Sequence, residues 1–165
     1  MSLIVEDGTG LSTAESYVSV AGATARQAAL GNTNWALLST AEMEQALRRA
    51  TQYMLQAFRD RWTGDRLNGT QALDWPRWNV WVDGYPVSPS VVPADIANAC
   101  ADLALKAAAG DLNADLTRGV VREKVGPIET EYDRYSPQNT RFRAIDMALS
   151  PYLKGSSAMA KLVRA

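Results

Sequence analysis

The chain has 165 residues, with 17 basic side chains against 18 acidic ones and no histidine, for a formal net charge of −1. That length fits one domain with a real core, and two full domains are not expected. Near-neutral charge gives none of the overall pull on phosphates expected of a chain that grips nucleic acid electrostatically. The missing imidazole removes the commonest proton-transfer group and the commonest transition-metal ligand. One cysteine, Cys100, excludes an intramolecular disulfide. No apolar run is long enough to cross a bilayer, and the start Met1-Ser2-Leu3-Ile4-Val5-Glu6-Asp7 lacks the flank and core of a secretion signal. A soluble protein made in a reducing cytoplasm is the expectation.

Residues 3–5 read as a short strand or arm, ended by Gly8-Thr9-Gly10. Ser12-Thr13-Ala14-Glu15 offers a capping box, and Tyr17, Val18, Val20, Ala21, Ala25, Ala28 and Leu30 give helical spacing up to Gly31-Asn32. The same four letters recur at Ser39-Thr40-Ala41-Glu42 and open the strongest helical pattern. There Met43, Ala46, Leu47, Ala50, Tyr53, Met54, Ala57 and Phe58 share one side. Residues 63–92 form an irregular connector that carries Trp75, Trp78 and Trp81, with Asp83-Gly84 centring a tight hairpin turn. Pro93 then opens an alanine-rich helix, with Ile96, Ala99, Cys100, Leu103, Ala104 and Ala107 as its stripe, running to Gly110.

From Gly119 the period changes to two. Val120 to Val125 and Ile128 to Tyr132 read as two strands around Gly126-Pro127, with Glu129, Glu131 and Asp133 forming an acidic row on one face. A last helix is predicted from about Thr140 to Leu149, closed by Pro151, before a basic tail at 154–165. The fold class expected is mainly α: a small bundle of about four helices over residues 1–153 with a β element at about 119–133, and a flexible C-terminal arm.

Charge is segregated. Residues 83–133 hold nine acids against four bases, whereas residues 134–165 hold six bases against one acid, Asp146. The two segments are suited to attract each other, within one molecule or between copies. Chemistry is sparse. There is no phosphate-binding glycine loop, no Cys-x-x-Cys and no nucleophile elbow, and Cys100 falls on an apolar helix side, so the reading is not an enzyme and needs no cofactor. A single acidic row supplies oxygen ligands from one direction only, unlike a metal cage.

For nucleic acid, the best candidates are Arg48-Arg49 with Arg59 and Arg61, near Tyr53 and Trp62, because guanidinium groups hold phosphate and aromatic rings stack bases. Glu42, Glu44, Asp60 and Asp65 lie close in sequence and favour a salt-bridged helix face instead. Trp75 and Trp78 flank Pro76-Arg77, as a packed loop or as a stacking platform. In the tail, Met159, Leu162 and Val163 are apolar teeth among Lys154, Lys161 and Arg164, either disordered or ordered by a partner.

Several stretches resemble a family of tailed-bacteriophage head-tail connector, or adaptor, proteins, some of which are labelled DnaT-like single-stranded-DNA-binding proteins. They are Leu3-Ile4-Val5-Glu6-Asp7-Gly8-Thr9-Gly10-Leu11 with Ala14-Glu15-Ser16-Tyr17, Gln71-Ala72-Leu73-Asp74-Trp75-Pro76-Arg77, Val92-Pro93, and Arg122-Glu123-Lys124-Val125-Gly126-Pro127-Ile128-Glu129-Thr130-Glu131-Tyr132. The resemblance covers about residues 1–150 and implies a virion protein, made in the host cytoplasm. It implies a ring of about twelve copies under the portal protein, extending the channel for double-stranded DNA and receiving a neck or tail protein. On that reading the portal-binding residues are Lys154, Met159, Lys161, Leu162, Val163 and Arg164. The subunit interface is Trp75, Arg77, Trp78, Trp81, Arg122, Lys124 and Tyr132, and Glu129, Glu131 and Asp133 face the channel. The competing expectation is a single-stranded-DNA-binding protein, which needs a basic groove beside exposed aromatic rings and an affinity that falls with salt.

Overall fold

The computed structural model describes residues 2–114 and 140–155 with their side chains, and the backbone of 120–125 and 128–132. The fold is mainly α. In chain order the helices are α1 (Val20–Ala29), α2 (Thr33–Ala36), α3 (Thr40–Phe58), α4 (Ala94–Ala109) and α5 (Arg143–Leu149), with 3-10 turns at Arg59–Arg61 and Ser150–Tyr152. Strands β1 (Asp65–Arg66) and β2 (Arg77–Trp78), β3 (Trp81–Val82) and β4 (Tyr85–Pro86), and β5 (Val120–Val125) and β6 (Ile128–Tyr132) form three separate antiparallel pairs.

The two identical tetrapeptides have different fates. At Ser39 the capping box forms: its hydroxyl accepts from the Glu42 amide, and the Glu42 carboxylate accepts from the Ser39 amide at 2.8 Å. At Ser12 no helix starts, which corrects the sequence expectation. Residues 14–17 are claimed by tertiary contacts instead. Glu15 accepts from the Ile4 amide and from Arg48, Ser16 bridges to Val5, and the buried Tyr17 hydroxyl accepts from the Asp74 amide at 3.0 Å. The helix begins only at Ser19, whose side chain accepts from the Gly22 amide. Local capping propensity of about 1 kcal/mol is readily overridden by such contacts.

Helix α3 is the spine, and α4 is its main neighbour. Ala46 and Ala50 on α3 and Ala101 and Ala104 on α4 are fully buried, and side chains this small let the two backbones approach closely. Helix α2, too short for periodicity to reveal, inserts Trp35, whose indole N–H donates to Thr24 at 3.0 Å. Helix α5 starts three residues later than expected, at Arg143, and Pro151 lies in the 3-10 turn that follows it.

A line of rings joins the far end of α3 to the connector. Phe58, Trp62, Trp75 and Tyr152 follow one another with centroids 5.7, 5.7 and 5.6 Å apart, the last two contacts edge-on. Edge-to-face geometry sets the positive rim of one ring against the negative face of the next.

Candidate nucleic-acid interface

The connector is held by its own polar side chains. Gln71 is buried, accepting from the Asn68 amide and donating to the carbonyls of Leu73 and Pro76 at 2.8 and 3.1 Å. The Trp75-Pro76 peptide is cis. Arg77 donates to the carbonyls of Thr63 (2.8 Å), Gly64 (2.7 Å) and Asp74 (3.2 Å), tying three parts of the loop to one guanidinium. Gly64 has φ +63°, and a Cβ there would sit 2.2 Å from the Trp78 carbonyl oxygen, so only glycine lets β1 and β2 meet.

This architecture sorts the tryptophans. Trp35, Trp62 and Trp75 are fully buried, whereas Trp78 is 49 % exposed and Trp81 61 %. Trp75 and Arg77 were expected at a subunit interface, and that placement is corrected: both are interior, Trp75 within the ring line and Arg77 on backbone carbonyls. Trp78 and Trp81 do lie on the surface. Arg122, Lys124 and Tyr132 fall in β5 and β6, where only backbone register is described. Glu129 and Glu131 sit on β6, and the backbone register sets Lys124 opposite Glu129 and Arg122 opposite Glu131. Asp133 lies outside the described residues, as do Met159, Lys161, Leu162, Val163 and Arg164. Lys154 is exposed; its amide donates to the Arg61 carbonyl at 2.6 Å.

The turn at Asp83 (φ 52°) and Gly84 (φ 85°) has both central residues left-handed, as its sequence predicts. Val82 pairs with Tyr85 and Trp81 with Pro86, so Tyr85, 76 % exposed, is on the Val82 face and Trp81 on the other. The hairpin thus offers a large ring on each side. Its base is anchored by the buried Val80, whose carbonyl accepts from the Val87 amide, and β3 adjoins the Ser150–Tyr152 turn. Tyr85 was not among the expected site residues; its position just after a two-residue primed turn was the available signal.

The arginine cluster divides. Arg48 pairs with Glu15 at 3.0 Å and Glu44 at 3.5 Å, the salt-bridged face that the sequence suggests. Arg59 reaches Asp74 at 3.7 Å, and Arg61 reaches Asp146 at 3.5 Å while lying 5.2 Å from the Phe58 ring centre. Among the described residues Arg49, Arg141 and Arg143 make no ion pair, and all three are exposed. Trp62 and Tyr53 are buried, which removes both as stacking rings and corrects their candidacy.

Asp74 is, among the described residues, the one buried carboxylate with an oxygen that lacks a hydrogen bond. Its Oδ2 accepts from the Trp62 indole at 3.3 Å, while Oδ1 has no hydrogen bond. Burial pushes its pKa up, against the opposing pull of Arg59, the Trp62 bond, Arg77 and Arg66. A folded pKa above the unfolded value means its contribution to stability is fully present below the unfolded pKa and is lost as pH rises through the folded one. Asp74→Asn is therefore expected to remove that acid-side gain. Urea unfolding of both proteins at stepped pH checks it, and parallel stability curves would refute the assignment.

A protein-family model described as "Putative DnaT-like ssDNA binding protein" matches the chain over residues 1–165. No curated protein and no solved structure matches it. The head-tail connector role expected from resemblance is corrected by this match, because the only function in the matched description is single-stranded DNA binding. The portal and tail partners implied through that role lose their premise. By the extent of the match, the chain belongs to the DnaT-like family.

Proposed function

We propose that this protein binds single-stranded DNA with little sequence preference, as a binding module and not as an enzyme. The observation that carries this is the division of the tryptophans: Trp78 and Trp81, with Tyr85, stay in solvent on a braced hairpin while the other three are sequestered. Flat rings on a rigid mount suit bases whose faces are open, as in a single strand, and not bases already stacked inside a duplex. Lys154, exposed on the neighbouring turn, adds a cation there, whereas Arg59 and Arg61 are matched by Asp74 and Asp146.

Titrating an unstructured oligothymidine of about twenty nucleotides into the protein should quench tryptophan emission. The affinity should lie in or below the range of about 10⁻⁴–10⁻⁶ M and should fall with salt. A duplex of equal length should compete weakly. Absence of quenching and of binding at low salt would overturn the reading.

A further inference from the structure

Alongside α3, facing the end of α4 and the start of α5, run two adjoining clefts of ≈ 520 and ≈ 610 Å³ that share Tyr53, Gln56 and Asn113. Each is large enough for a nucleotide-sized group. Arg49 stands in the first, and Arg61 and Arg141 in the second. Asp146 is paired with Arg61, whereas Asp111, which accepts from the Asn113 amide at 3.0 Å, keeps its charge at the first cleft, so the three arginines exceed the two carboxylates by one. Arg49 and Arg141, with no carboxylate partner among the described residues, thus remain as cations open to an incoming anion.

The floor is polar as well. Asn113 donates to the Gln56 side-chain carbonyl at 2.7 Å, and Gln52 is exposed beside it. Carboxamides offer a donor and an acceptor together and so can meet the edge of any base. At its Arg61 end the groove runs toward the aromatic hairpin. Lys154 bonds to the Arg61 backbone, and the turn that precedes Lys154 adjoins β3, which carries Trp81.

We propose that hairpin and groove form one track: a single strand stacked on Trp81, on the face opposite Tyr85, continues past Lys154 and Arg61 into the groove. There Arg49 and Arg141 take phosphates and the carboxamides meet base edges. This rests on the strand-binding reading and adds a second, physically separate contact to it.

The test compares wild type with the double variant Arg49→Ala/Arg141→Ala, using labelled oligothymidines of about five and about fifteen nucleotides. Both residues are exposed, so melting temperature should not change. The expected result is a loss of about tenfold in affinity for the longer strand. The log-log salt slope should become shallower by about 1.4, two phosphates at about 0.7 each. The shorter strand should bind as before. An unchanged slope for the longer strand would overturn the track while leaving hairpin binding intact; equal losses at both lengths would overturn the track by placing the short strand in the groove and not on the hairpin; a wild-type protein that binds neither strand would take both readings down together.

Discussion

Trp75→Ala should cost about 3–5 kcal/mol of stability, the largest effect of any single substitution considered for this chain. The side chain is fully buried between Trp62 and Tyr152, and its removal empties the middle of the ring line that joins α3 to the connector. A loss of that size is a large share of the roughly 5–15 kcal/mol that holds a domain of this kind folded. Trp75→Phe should cost less, for two reasons. It keeps most of the apolar area, and it deletes an indole N–H that is buried without a hydrogen-bond partner. Urea unfolding followed by far-ultraviolet circular dichroism ranks the three proteins. Equal stability of the alanine variant and wild type would show that the ring line does not hold the connector.

Trp81→Ala combined with Tyr85→Ala should weaken binding to a long oligothymidine by about 2–6 kcal/mol, the sum of two stacking contacts at about 1–3 kcal/mol each. Stability should hardly move, because both rings are more than half exposed and pack little. This pattern is opposite to that of Trp75→Ala, where any binding defect would follow from unfolding. Fluorescence anisotropy of a labelled strand, beside a thermal melt of each variant, separates the two. Retained affinity in the double variant would move the contact away from the hairpin.

Much of the scaffold was legible before any coordinates. Helices α3 and α4 declare themselves by unbroken apolar spacing, and the capping box at Ser39 fixes one start to the residue. Asp83-Gly84 gives the hairpin, since few other pairs accept two left-handed residues in succession. The Ser12 box misled because Glu15 and Tyr17 have partners far along the chain, and no local pattern reveals a distant partner. The fate of each tryptophan was hidden for a similar reason. Trp75 and Trp78 are three residues apart, yet one is at the core and the other in solvent, because the Arg77 carbonyl contacts and the close approach at Gly64 reverse the chain between them.

The charge balance says less about any one surface. It counts carboxylates equally, but several are used inside the fold. Glu6 is buried and accepts from the amides of Gly8, Gly10 and Leu11, Asp74 is buried, and Asp102 holds Arg26 at 2.7 Å. A sum over the sequence therefore does not give the charge at the groove, where Arg49 and Arg141 have no carboxylate partner among the described residues. Arg49 and Arg141 lie far apart in the sequence, and only folding sets them along one groove.

The three carbonyls gathered by Arg77 have a consequence for thermodynamics. Because the hairpin's footing is frozen when the chain folds, a strand arriving as proposed would meet a preorganised backbone and would immobilise few protein torsions beyond those of the rings themselves. The ordering entropy lost on association would then fall mainly on the nucleic acid, so chain stiffness of the oligonucleotide, more than loop rearrangement in the protein, should govern how tightly different homopolymers are held.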